Sequence, residues 1–130
     1  MNTNEATTMR GIRGATTVDA NTQEAILAAS KELLTALIDA NDVHVDDVAS
    51  VFFSTTPDLN AEFPALAARD MGWSQVALMC AHEMSVPGSL PMCLRILMHV
   101  NTSKAQRDMQ FIYLRGARVL RQDLVKEETA

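Results

Sequence analysis

The stretch Met92-Cys93-Leu94-Arg95-Ile96-Leu97-Met98-His99-Val100 decides how this chain folds. Apolar residues fill it almost without a break, which predicts a buried strand over Met92 to Val100, the longest in the chain. Arg95 interrupts that run, and no acidic residue lies near it in sequence. A guanidinium taken out of water without a partner is very costly, so Arg95 needs an anion. Either a carboxylate distant in sequence supplies it as a structural ion pair, or a ligand does. The cation balance points towards a ligand, because the chain holds eight arginines and three lysines within a net charge of -5. The planar fork of arginine grips two carboxylate oxygens at once in a desolvated place. A pocket for a small anionic molecule is the expectation.

Outward from that strand, Pro87, Gly88 and Pro91 break the segment Val86 to Pro91 into a loop, and Val76 to Cys80 reads as another strand. Val51, Phe52 and Phe53 in a row predict a strand over Val48 to Ser54 that is covered on both faces. Pro57-Asp58-Leu59-Asn60 is a turn, and Pro64 opens a short helix reaching about Met71. Met9 to Val18 reads as the first strand, with Gly11 and Gly14 marking close approach to the backbone. Asn21 is the expected cap of the first helix, with Glu24 completing a capping box. Ile26, Leu33, Leu34, Leu37 and Ile38 form one stripe of that helix, which should end near Asn41. Downstream, a polar connection over Asn101 to Asp108 leads to a short fifth strand, Gln110 to Leu114.

The order β-α-β-α-β-β-β implies a mixed sheet of about five strands with two helices, an α/β or α+β domain. Two helices cover one face of such a sheet. Phe52, Phe53 and Leu97 suggest that the other face is apolar too, so the chain should oligomerise to cover it. The acidic balance argues against nucleic acid as a partner. No apolar stretch approaches a membrane span. Met1 to Thr8 is polar, a flexible tail without the apolar core of a secretory signal, and the charged end from Gln122 reads as frayed. Cys80 and Cys93 form no CxxC pair and read as reduced thiols of a cytoplasmic protein.

Three polar clusters could carry chemistry: Arg10 with Arg13, Cys80 with Glu83, and Arg95. Tyr113 ends the fifth strand, with Arg115, Arg118 and Arg121 behind it. Arg13 reads first as an exposed residue of a strand rim, and Glu83 as an ordinary loop carboxylate unless it faces Arg95. Cys80 as a nucleophile would need a base. His82, two residues on, is read as pointing the other way, so covalent catalysis is not favoured. His44, His82 and His99 lack ligand spacing, and no metal is expected. Gly11-Ile12-Arg13-Gly14 is not a dinucleotide fingerprint. A set of arginines with one carboxylate, one tyrosine and one thiol suits electrostatic catalysis on an anion better than acid-base hydrolysis.

Several motifs together resemble the monofunctional, trimeric barrel-type chorismate mutases. They are Arg10-Gly11-Ile12-Arg13-Gly14-Ala15-Thr16-Thr17, Ser54-Thr55-Thr56-Pro57-Asp58-Leu59 with Phe63-Pro64-Ala65, Cys80 with Glu83-Met84, Leu94-Arg95 and Tyr113-Leu114. The likeness runs from Met9 to Leu124, leaving residues 1–8 and 125–130 as tails. It implies a homotrimeric pseudo-barrel with pockets at the subunit interfaces. The implied reaction is the pericyclic rearrangement of chorismate to prephenate on the route to phenylalanine and tyrosine, without a cofactor. Carried over, Arg95 donates to the ether oxygen as the C–O bond breaks and also to a substrate carboxylate. Arg13 and Tyr113 hold carboxylate, and Glu83 accepts from the ring hydroxyl with Cys80 beside it. Phe63, Ala65 and Leu120 form apolar walls, while Arg69 and Arg121 recruit the chorismate dianion at the mouth. Leu66 stands where many relatives carry lysine, which bears on capture more than on chemistry. Two other readings compete: an interface-pocket trimer that deaminates imines or enamines with Glu83 as base, and a module that binds an aromatic-pathway metabolite without converting it.

Overall fold

A computed structural model describes residues 6–121 of the chain, without the side chain of Arg121. The expectations for the first five residues, for the segment from Gln122 onward and for the Arg121 side chain lie outside those residues. The elements are β1 (Thr8–Thr17), α1 (Gln23–Asn41), β2 (Val48–Thr55), α2 (Leu66–Asp70), β3 (Ala77–His82), β4 (Cys93–Thr102) and β5 (Ile112–Tyr113). Short 3-10 turns occupy Val45–Asp47, Gln106–Asp108 and Arg115–Arg121. The strands form one mixed sheet in the order β3-β2-β4-β1-β5. Strand β4 runs antiparallel to both β1 and β2, while β5 is parallel to β1 and β3 parallel to β2. The most apolar strand thus takes the middle of the sheet, as its sequence demands.

Register assigns every side chain to a face, because successive residues of a strand point to opposite sides. Ile12, Gly14 and Thr16 pair with Met98, Ile96 and Leu94, and Val51 and Phe53 pair with Met98 and Ile96. These paired positions are buried. Their apolar side chains pack on the α1 stripe of Ile26, Leu33, Leu34 and Leu37, all 0% exposed, and Ile38 joins from the margin. On the other face Phe52 pairs with both Leu97 and Met79. Those three side chains keep 40%, 40% and 58% of their surface in water. The expectation that Val51, Phe52 and Phe53 are all covered therefore fails for Phe52 within one chain. The two helices shield one side only.

Two local expectations are corrected. Thr22, not Asn21, caps α1: its hydroxyl oxygen accepts from the Ala25 N–H at 3.1 Å. Asn21 is drawn to a distant loop instead, where its Oδ1 accepts from the N–H groups of Asn60 and Ala61, each at 3.0 Å. Of the two glycines in β1, only Gly14 is crowded. A Cβ there would sit 2.6 Å from the carbonyl oxygen of Ile112 and 3.0 Å from Leu33 Cδ1, so β5 and α1 could not both stay where they are. Gly11 has open space on that side, and the Gln106 side chain bonds its backbone in both directions.

After β5 the chain turns back over the open face. Arg115 takes a left-handed backbone conformation, φ 51°, and its guanidinium donates to both carboxylate oxygens of Glu32 on α1. Gly116 N–H donates to Thr17 Oγ1 at 3.1 Å. Arg115 is thereby a structural tie. The turn that follows it lays Ala117 and Leu120 against Ala15 and Cys93.

Candidate active site

Arg95 projects from the middle of β4 onto the open face, flanked in register by Ser54 of β2 and Ala15 of β1. Its Nε is buried and has no hydrogen-bond partner among the described residues. No carboxylate forms an ion pair with it among the described residues. The alternative of an internal ion pair thus finds no acid there. Leaving a buried guanidinium N–H unpaired costs free energy, so the position is built to be completed by something else.

The surroundings of Arg95 come from the four other strands and the last turn. Glu83 lies just past β3, where its N–H donates to the Thr55 carbonyl at 2.8 Å and carries the strand pairing two residues beyond Ala81. This parity puts Glu83 on the Arg95 side of the sheet, and its Oε2 accepts from the Ser54 hydroxyl. Arg13 pairs with Leu97 on β4, and its guanidinium lies over the ring of Phe111, 5.1 Å from the centroid. Tyr113 pairs with Ala15 and packs in a small cluster with Cys93, Ala117 and Leu120. Burial pushes the Cys93 thiol up, while the Arg95 charge pulls it down and the Glu83 charge adds to the rise.

A second group gathers elsewhere. Phe63, Ala65, Leu66, Arg69 and Cys80 line an open cleft of about 320 Å³ beside β3. Phe63 is 70% exposed, and Arg69 is exposed near the end of α2. Cys80 and Glu83 differ by an odd number of strand positions, so they leave the strand on opposite sides; Cys80 is not beside Glu83. His82 is corrected too. It shares the Cys80 side, as strand period two requires, and its Nδ1 lies 3.1 Å from Thr55 Oγ1. Burial pushes the Cys80 thiol up, against smaller downward effects of the Ala65 backbone and the Arg69 charge. That disfavours the thiolate a nucleophile needs. Among the described residues no three of His, Cys, Asp or Glu cluster as metal ligands would.

One chain therefore brings Arg95, Glu83, Arg13, Tyr113 and Leu120 to its open face. Phe63, Ala65, Arg69 and Cys80 gather around the β3 edge. Sequence reasoning missed Ser54, Cys93 and Phe111 as neighbours of these groups. Ser54 and Phe111 carry no signal of their own, because only the strand register and the β5 turn bring them to Glu83 and Arg13. Cys93 could have been found, since it stands two residues from Arg95 on one strand.

Most of the chain matches a known family. The family model described as chorismate mutase type I matches residues 9–124. The chain belongs to that family. As a chorismate mutase it is an isomerase. It is 45% identical over 117 residues to chorismate mutase AroH of Bacillus subtilis (strain 168), covering 89% of this chain and 92% of that relative. Chorismate mutase AroH of Thermus thermophilus is 46% identical over 117 residues, with 89% and 96% covered. A solved chorismate mutase structure from Clostridium thermocellum is 50% identical and superposes with a TM-score of 0.83, covering 84% of this chain and 97% of that one. The mixed five-stranded sheet with few helices is thus the fold of a solved chorismate mutase.

Proposed function

We propose that the chain rearranges chorismate to prephenate in pockets that form only between copies of itself, in a homotrimer. The observation that carries this reading is the Arg95 guanidinium on the open face, whose buried Nε has no partner among the described residues. In the rearrangement the ether C–O bond breaks while a C–C bond forms, and negative charge grows on the departing oxygen. A cation fixed at that oxygen binds the transition state more tightly than the substrate, which lowers the barrier. Arg95 donates there, and its second arm meets a substrate carboxylate. Arg13 and Tyr113 hold carboxylate and fold the flexible enolpyruvyl arm over the ring, which removes an entropic cost that water leaves in place. Glu83 accepts from the ring hydroxyl.

The two separated groups support the subunit arrangement. Met79, Phe52 and Leu97 form an uncovered apolar row beside Arg13, and large exposed apolar patches mark interaction surfaces. A neighbouring copy laid on this face covers the row and brings its own Phe63, Ala65 and Arg69 to face Arg95. Cys80 then borders the pocket from the neighbour's side. Arg69 recruits the dianion, with Arg121 assigned the same task. Both cysteines are free, which agrees with a reducing, cytoplasmic setting on the route to phenylalanine and tyrosine.

The test is direct. Incubation with chorismate should make its ultraviolet absorbance fall in proportion to enzyme, with prephenate as product. Saturable binding of chorismate, seen as a thermal shift without conversion, would contradict the catalytic reading.

A further inference from the structure

We infer that Ser54 is a positioning residue which holds the Glu83 carboxylate away from Arg95 and so keeps the guanidinium free for substrate. The inference rests on the roles proposed above for Arg95 and Glu83. These two opposite charges share one half-buried face, where a direct pair would be the simplest way to satisfy Arg95 Nε. No such pair exists among the described residues. What stands between them is Ser54, which pairs across the sheet with Arg95 on one side and with Ala81 on the other. Glu83 lies two residues past Ala81 on the same face. Its Oε2 accepts the hydroxyl hydrogen of Ser54. A serine hydroxyl has one hydrogen to give, and here it goes to the carboxylate.

Removing that donor leaves Glu83 and Arg95 on one face with no hydroxyl between them. A carboxylate turned onto Arg95 neutralises the group meant for the departing oxygen. It also occupies the place of a substrate carboxylate and repels the incoming dianion. The hydroxyl of Ser54 therefore does for the free enzyme what the substrate does later: it keeps the two charges from cancelling.

The experiment compares Ser54→Thr with Ser54→Val, two β-branched side chains of equal shape that differ in the hydroxyl. Ser54→Thr should retain kcat/KM within about threefold, while Ser54→Val loses roughly 10- to 100-fold, with both melting near the parent. The same pair is then made with Glu83→Gln, where no anion remains to quench Arg95. There the Val and Thr versions should differ by less than about twofold. The NMR signal of the Arg95 Nε–H gives a readout independent of turnover, and Ser54→Val should shift it as a new ion pair forms. A parent enzyme without activity on chorismate would sink the proposed function, and the NMR comparison would still decide the role of Ser54. Equal kinetics and an unchanged Nε–H signal in Ser54→Val would overturn the inference. So would the same Val-against-Thr loss with Glu83 and with Gln at position 83, which marks a merely structural serine.

Discussion

Replacing Phe52 with glutamate tests whether the open face is a subunit interface. Phe52 and Leu97 each keep 40% of their surface in water, and Met79 keeps 58%. Together the uncovered parts equal about one and a half large side chains. At roughly 2 kcal/mol per fully buried side chain, covering them contributes about 3 kcal/mol per protomer, or about 9 kcal/mol per trimer. Phe52→Glu removes its own part, about 1 kcal/mol per protomer, and asks three carboxylates to leave water at several kcal/mol each. The total exceeds what this row supplies, so the trimer should dissociate. The fold of each protomer should survive, because the Phe52 side chain points away from the Val51 and Phe53 side of the core. Sedimentation velocity should show monomer at micromolar concentration, circular dichroism a near-parental spectrum, and the absorbance assay almost no turnover. A monomeric variant with parental turnover would refute the interface pocket. An intact trimer would refute the assignment of this face.

Three further outcomes are expected. The Thr56 hydroxyl and the Met92 N–H hold the Asp58 carboxyl below the ordinary carboxylate range despite an opposing effect of burial. A depressed folded-state pKa stabilises above the unfolded value and is lost as pH falls through the folded one. The melting gap between parent and Asp58→Asn should therefore be full at neutral pH and should close as pH falls through the depressed folded-state value; a gap independent of pH would contradict this. Gly14→Ala should destabilise by about 1–3 kcal/mol in urea unfolding, because the new Cβ meets a β5 carbonyl rather than a pliable side chain. Arg69→Ala should mainly raise KM and reduce its salt dependence, since an exposed cation near the end of α2 acts on capture. A pure loss of kcat would remove Arg69 from the entrance.

Much of this molecule is legible in its sequence because its strongest signals are local. The apolar run around Arg95 gives the central strand, and the Ile26 to Leu37 stripe gives the covering helix. The lack of any nearby acid makes Arg95 conspicuous. Other features depend on pairing between distant segments. Thr22 and Asn21 are both able to cap, and the contest is settled by Asn60 and Ala61, about forty positions away. The row Val51-Phe52-Phe53 looks doubly covered because all three residues are apolar, although one chain covers only the Val51 and Phe53 side. The turn Arg115–Arg121 has no apolar period and is held by Glu32 far upstream. Ser54 beside Glu83, and Phe111 beneath Arg13, exist only once the register is set. The placement of His82 on the Cys80 side needed no structure at all, since residues two apart in a strand always share a face.

The most direct measurement is the turnover of chorismate by Arg95→Lys and Arg95→Ala beside the parent, with melting curves for all three. One preorganised donor to a developing oxyanion is worth roughly 3–4 kcal/mol, so Arg95→Ala should lose at least about two to three orders of magnitude in kcat. Arg95→Lys should also fail badly, because an ammonium cannot reproduce the fork. Both variants should melt close to the parent. Near-parental turnover in either one would mean that the Arg95 guanidinium of β4 is not where the chemistry happens.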